Sequence, residues 1–467
     1  MVYNMSFSKC FHRAGSALMV IACLVLTGCS ATACAKRTDD SGTATAAITQ
    51  RTYSITSAAG LDQQHLNPGD TVILQNGNWK DQQLVLKASG KEGQPIILKA
   101  ETPGKVLLTG HSGLRIDGAW LEVSGLSFVK GYSLKEDVIV FSKTSAHCRL
   151  TQTSITGYNP PDRKTDYKWV SLYGTRNKVD HCAFTGKTHQ GTTLVVWLSG
   201  TPNYHEITNN YFGPRPSLGN NGGETIRIGT SDWSMHDSYT TVTRNVFDRC
   251  DGEIEVISIK SGHNTIKENL FYECDGTLTF RHGNFNTVTG NYFIGNQKPN
   301  TGGIRVIGEQ HTVNNNYLYG LTGTGLRASI AVMNAVIHPK LNEYWQVKQA
   351  MIDSNIIIGC KEAFALGAGK NETRVVPPEN VTLQNNFVLN PGRLITGASE
   401  QQGLNMLHNK VGGAATAPGF EEMAPGMLLK NENNIWQLEG VPREPFWLKT
   451  TVGPAWDSAV PRKFVIR

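Results

Sequence analysis

A lysine and three arginines stand on short alternating segments in the middle of the chain. In Ile257-Ser-Ile-Lys260, Leu278-Thr-Phe-Arg281, Ile304-Arg305-Val306 and Ile226-Arg227-Ile228, the apolar residues mark an inner face. Strand side chains alternate between faces, so Lys260, Arg281, Arg305 and Arg227 point outward. Neighbouring parallel strands lie ~4.8 Å apart. Lys260, Arg281 and Arg305 fall at similar phase in successive repeats, so Lys260 and Arg281 should stand side by side with Arg305 one rung further. Like charges stacked this closely are unfavourable unless they bind an anion. Nearby, Glu253-Ile-Glu255 places two carboxylates at i and i+2, where they can share a hard cation such as Ca²⁺ through oxygen ligands. Asn220-Asn-Gly-Gly-Glu224, one repeat earlier, offers further oxygens at a tight turn.

These residues need a rigid, repetitive frame, and the sequence contains one. The phrase Asn-x-apolar recurs at Asn210, Asn245, Asn269, Asn291, Asn316, Asn355 and Asn386, with spacings of 24, 22 and 25 residues from Asn245 to Asn316. Degenerate copies precede it at Leu126-Ser-Phe128, Thr153-Ser-Ile155 and Cys182-Ala-Phe184. This period, built of short strands and Gly/Asn turns, predicts an all-β fold: a single-stranded right-handed parallel β-helix whose coils bury a core only by stacking. The longer gaps are coils with inserted loops. The leucine-rich repeat has a similar period, but its Leu-x-x-Leu-x-Leu phrase is absent. The repeated Asn suits a turn position with φ > 0 and can pair with the Asn of the next coil. Cys250, Cys274 and Cys360 each follow their Asn by five residues, which reads as a column of buried thiols without CxxC metal spacing. Thr56 to Leu66 is expected to form an N-terminal capping helix, followed by a turn at Asn67-Pro-Gly-Asp70 and a strand from Thr71 to Leu74. Phe446-Trp-Leu and Gly453-Pro-Ala-Trp456 are expected to cover the C-terminal end of the stack.

The start of the chain reads as export machinery. Lys9, His12 and Arg13 precede an apolar run from Ala17 to Leu26, which is the length of a signal h-region and too short for a confident membrane span. Leu26-Thr27-Gly28-Cys29 has the form of a bacterial lipobox. This predicts a lipoprotein-type signal over residues 1–28, a tether over 29–50 and a β-helix domain over 51–467. The expected location is the periplasm, or the outer membrane through a lipid anchor at Cys29. A net charge of +6 over 467 residues fits a polyanionic partner but carries little weight alone, and no nucleic-acid partner is indicated.

Gly252-Glu-Ile-Glu-Val-Ile-Ser-Ile-Lys-Ser261, Gly276-Thr-Leu-Thr-Phe-Arg-His-Gly283 and Gly302-Gly-Ile-Arg-Val-Ile-Gly308 resemble polysaccharide lyase family 6, which contains alginate lyases and chondroitinase B. The likeness runs from the capping segment to about residue 320 and weakens beyond it. It implies β-elimination on a uronate-containing polymer, with alginate preferred over dermatan sulfate. It implies Lys260 as base, Arg281 as acid, and Ca²⁺ held by Glu253, Glu255 and an Asn placed at Asn221, with Asn220 and Glu224 as alternatives. Arg305 resembles a substrate-contacting arginine, and His282 and Arg227 are weaker substrate candidates. The chemistry suits these residue types. A cation on the carboxylate stabilises charge developing at C5, and Lys260 must be uncharged to take the C5 proton. Arginine is a poor proton donor, which makes the part of Arg281 partly electrostatic. A glycoside hydrolase would instead use carboxylates flanking the bond, whereas Glu253 and Glu255 lie on one side of any ligand. A non-catalytic glycan-binding β-helix is the remaining alternative.

Overall fold

Each coil lays down three short strands, and each strand pairs in parallel with its equivalent one coil away. Thr71–Leu74, Gly77–Lys80 and Gln83–Ser89 are followed by Ile96–Ala100, Val106–Gly110 and Gly113–Ala119 in the same three positions. Repetition builds two 14-stranded sheets and one 12-stranded sheet, which together make a right-handed parallel β-helix. The computed structural model describes residues 50–467 except Asn220, and these form one unit. The signal, the lipobox at Cys29 and all but the last residue of the tether lie outside the described residues, as does Asn220.

The Asn-x-apolar phrase has two physical causes. Phe184, Phe212, Phe247, Phe271 and Phe293 stack inside the helix with ring centroids 4.5–5.3 Å apart. The repeated Asn side chains form a buried ladder: Asn210 N donates to Asn245 Oδ1, and the same bond recurs coil by coil to Asn409. Each rung satisfies buried backbone groups that would otherwise be costly. The left-handed conformation, however, belongs to the residue before the rung: Asn209, Arg244, Glu268, Gly290, Asn315, Ser354 and Asn385 all have positive φ. The rung residue itself turns inward. Cys250, Cys274 and Cys360 are buried free thiols, with Cys148 and Cys182 alike.

A second ladder contains histidine. Asn177 N donates to His205 Nδ1 and Asn286 N to His311 Nδ1, which fixes these nitrogens as acceptors. Burial lowers His205 to about 3 and His311 to about 4. An unfolded chain takes up these protons near pH 6.5, whereas the folded chain resists until pH 3–4, so stability is lost as pH falls through that window. Two such groups give a slope of up to ~2.7 kcal/mol per pH unit. Melting temperature should therefore drop steeply from pH 6.5 to 4. His205→Asn keeps an acceptor for Asn177 and should flatten the drop; an unchanged slope in that variant would refute the assignment.

At the N-terminal end, a strand at Thr52–Ile55 precedes the cap, and the helix is only Ala58–Asp62, shorter than the expected segment. Ser57 caps it by accepting from Gly60 N, and Leu61 is buried. The stretch from Phe446 to Trp456 does not cover the end of the stack, where Phe420 packs against Phe364 instead. The C-terminal segment runs along the flank: Trp447 meets Tyr292 edge-on, Gly453 N bonds Asn209 O, Trp456 Nε1 bonds Gln152 O, and Tyr319 Oη bonds Arg467 O. A second apolar cluster, including Tyr211, Tyr292, Tyr317, Trp447 and Val460, lies beneath it. The strap buries aromatic rings that would otherwise lie exposed on that flank.

Candidate active site

The central coils of the 12-stranded sheet carry a cleft of about 640 Å³, lined by Asn221, Glu224, Glu253, Glu255, Lys260, Arg281, Arg305, Arg327, Asn342 and Tyr344 among others. Two register shifts shape it. Between Glu255–Lys260 and Thr277–His282, Glu255 pairs with Thr277 but Ile257 with Leu278, so Val256 is an extra residue. Val256 and Ile257 both enter the core, which accounts for the consecutive apolar pair. The second shift pairs Ile259 with Phe280 but Lys260 with His282, leaving Arg281 as the extra residue on its strand. Bulges of this kind re-aim side chains next to active sites. The simple column is therefore corrected: Lys260 stands opposite His282, not Arg281, and Arg305 pairs with Thr279, two residues earlier in phase.

The arginines have distinct surroundings. Arg305 is 2% exposed and makes an ion pair with Glu255, whose other oxygen accepts from Ser258 Oγ. It thus faces a carboxylate of the protein, not open solvent. Breaking such a buried pair leaves an uncompensated charge and costs ~3–5 kcal/mol. Arg305→Met should lower the melting temperature accordingly, and adding Glu255→Gln should recover much of the loss; an unaltered melting temperature would contradict this reading. Arg227 lies 4.0 Å from Glu224 and packs over the Trp197 ring at 5.5 Å, outside the cleft lining.

Arg281 is held from three sides. Its Nη1 donates to His282 Nε2 (2.8 Å), its Nη2 donates to Asn342 O (3.1 Å), and its guanidinium sits 4.3 Å above the Tyr344 ring. His282 is 2% exposed, and its Nδ1 donates to Ser234 Oγ, 2.9 Å away. Burial, then Arg281 and Lys260, push its pKa down to about 3, so the ring is neutral and both nitrogens are engaged. His282 therefore stands behind Arg281 and offers no free nitrogen to a ligand. The Asn342–Tyr344 segment was missed by sequence reasoning. It lies in a loop inserted between Asn316 and Asn355, and the 39-residue gap was its only signal.

The carboxylates gather because two glycine backbones touch. A Cβ on Gly223 would lie 2.4 Å from Gly252 O, and one on Gly252 would lie 2.1 Å from Gly223 O. This close approach brings Glu224 and Glu253 together, both nearly buried. Burial first, then repulsion by Glu224 and Glu255, raises the Glu253 carboxyl to about 8. A bound cation would relieve that repulsion, and an all-oxygen donor set suits a hard ion. The residues thus fit Ca²⁺ by chemistry, although among the described residues no three acidic, histidine or cysteine side chains already converge on a point. Asn221 is exposed at the cleft edge.

Fold and cleft together define a β-helix protein with a mixed basic and acidic groove on one sheet. The family model described as chondroitinase B matches residues 55–412. The chain belongs to polysaccharide lyase family 6, the chondroitinase B family. The PL6 family alginate lyase AlyGC is 40% identical, with a TM-score of 0.83 over 88% of this chain, and the chain spans 59% of that protein's length. A mannuronic acid specific family 6 lyase from human gut microbiota is 32% identical, with a TM-score of 0.77 over 88% of this chain and 97% of its own. A PL6 polysaccharide lyase from Pseudopedobacter saltans is 26% identical, with a TM-score of 0.66 over 78% of this chain and 94% of its own. No curated protein matches the chain.

Proposed function

We propose that the protein cleaves a uronate-containing polysaccharide by β-elimination, with alginate as substrate in preference to dermatan sulfate. One observation carries this: Lys260 and Arg281, from adjacent coils, line the same cleft as the acidic cluster of Glu224, Glu253 and Glu255. The alginate preference draws on two of the family 6 neighbours, an alginate lyase and a mannuronic acid specific enzyme.

The Lys260 amine nitrogen takes the C5 proton of the uronate. The C5–H electron pair becomes the C4=C5 bond, the C4–O4 bond breaks, and O4 leaves with the bond's electrons. The departing O4 accepts hydrogen bonds from Arg281, with water relaying its proton, because the guanidinium does not give one up readily. His282 and Ser234 keep Arg281 aimed, since a guanidinium held on three sides loses little freedom in the transition state. Glu253, Glu255 and Asn221 or Glu224 would hold Ca²⁺, which when bound neutralises the substrate carboxylate. Glu255 reaches that role only in competition with Arg305.

Export, with a lipid anchor at Cys29, is part of the proposal and rests on the leader sequence. Among the described residues no helix is long and apolar enough to cross a membrane. The test is a screen of alginate, polymannuronate, polyguluronate and dermatan sulfate with Ca²⁺ present, following ultraviolet absorbance of the unsaturated uronate product. A rise with an alginate polymer is expected. Silence with every polymer would refute the lyase reading and leave a glycan-binding β-helix.

A further inference from the structure

A second depression, of about 460 Å³, shares Asn221 with the catalytic cleft and lies on the side of the earlier coils. Among the described residues its lining is Arg163, Lys164, Gln190, Ser217, Leu218 and Asn221, which includes two cations and no carboxylate. Of the nearby acids, Asp166 is paired with Lys168, and Asp162 accepts from the backbone N of Lys164. Arg163 is braced in place: its Nε donates to Thr188 O (2.9 Å) and its Nη2 approaches Ser217 O at 3.5 Å.

The floor of the depression is rigid for a specific reason. Residues 187–191 wrap their carbonyls around two buried basic side chains, of which Lys187 is pushed well below its ordinary pKa by burial and then by Arg215. Lys187 Nζ donates to His189 O and Gln190 O, and Arg215 Nη2 donates to His189 O and Gly191 O. Arg215 is 3% exposed and lowered only to about 10, so it stays charged at neutral pH and adds a positive field under the floor. Gln190 Nε2 approaches Asn221 O at 3.4 Å, linking this floor to the wall of the catalytic cleft. A fixed basic depression joined to a cleft for an acidic polymer suits the carboxylates of that polymer away from the bond being cut.

We propose that the Arg163–Lys164 depression is a distal sugar subsite that binds uronate carboxylates of the polymer beyond the catalytic cleft. This rests on the reading of the cleft as a polyuronate site. Its consequence is a preference for long chains, because an oligomer too short to reach Arg163 gains nothing from it.

The test compares Arg163→Ala/Lys164→Ala with the unaltered protein on polymeric alginate and on an alginate trisaccharide, alongside retardation in gels containing alginate. With the polymer, KM should rise about fivefold and kcat should hold, as expected for two lost exposed charge contacts. On the trisaccharide both constants should be unchanged, which also shows that the variant folds. Equal effects on polymer and trisaccharide, or no effect on either, would overturn the subsite. If the unaltered protein turns over neither substrate, the lyase reading falls by itself. In that case, loss of gel retardation in the variant upholds the subsite, and unchanged retardation overturns it.

Discussion

Lys260→Ala should abolish turnover of the polymer while leaving its binding and the fold largely intact. Lys260 is half-buried at the end of its strand and lines the cleft, but it makes no ion pair among the described residues, so the fold does not depend on its charge. Removing a general base typically costs 10²–10⁴-fold in rate. A drop in kcat of about a thousandfold is expected, with alginate retardation in a gel close to that of the unaltered protein. The glycan-binding alternative makes the opposite prediction, that binding weakens in step with any lost activity. Arg281→Lys provides a graded comparison. A lysine cannot span His282 Nε2 and Asn342 O in one plane as the guanidinium does, so positioning is lost even though the charge is kept. If Lys260→Ala retains more than a tenth of kcat, another group takes the proton.

Much of this site is legible in the sequence because a β-helix converts period into position. Alternation on Ile257–Lys260, Leu278–Arg281 and Ile304–Val306 marks Lys260, Arg281 and Arg305 as outward, and all three line one cleft with Glu253 and Glu255. What alternation cannot reveal is a bulge. Val256 and Arg281 are each one residue too many for the opposing strand, and that count exists only once the strands pair. The consecutive Val256-Ile257 pair betrays the first bulge, but no pattern in Leu278-Thr-Phe-Arg-His betrays the second. Side-chain direction fails for a related reason. Arg305 occupies an outward position yet is buried, because Glu255, two coils earlier, takes its charge. The displaced φ > 0 position has the same origin: the ladder needs the Asn side chain inside, so the preceding residue makes the turn. The inserted loop carrying Tyr344 and the C-terminal strap lack the period altogether, and only packing places them.

Calcium should stabilise the metal-free protein and be required for turnover. Glu224, Glu253 and Glu255 form a nearly buried acidic group in which burial first, and then mutual repulsion, holds Glu253 well above the ordinary carboxylate range. Folded chains carry that cost and unfolded chains do not, so an ion that binds only the folded cluster shifts the equilibrium by mass action. At a hundredfold excess over Kd the gain is ~2.7 kcal/mol. Melting temperature should rise with Ca²⁺, and a chelator should suppress activity until Ca²⁺ is restored. Mg²⁺ should substitute poorly, because it demands tighter octahedral geometry and sheds water reluctantly. The variants separate the ligands. Glu253→Gln should abolish the Ca²⁺-dependent rise in melting temperature while raising the metal-free value, since it removes the repulsion without removing bulk. Asn221→Ala and Glu224→Gln distinguish the third ligand, because only loss of the true one weakens Ca²⁺ binding. Should Ca²⁺ leave both melting temperature and turnover unchanged, the cluster would have to be held by the protein's own cations, Arg215, Arg227, Lys260, Arg281 and Arg305, and the elimination would draw its carboxylate neutralisation from arginines.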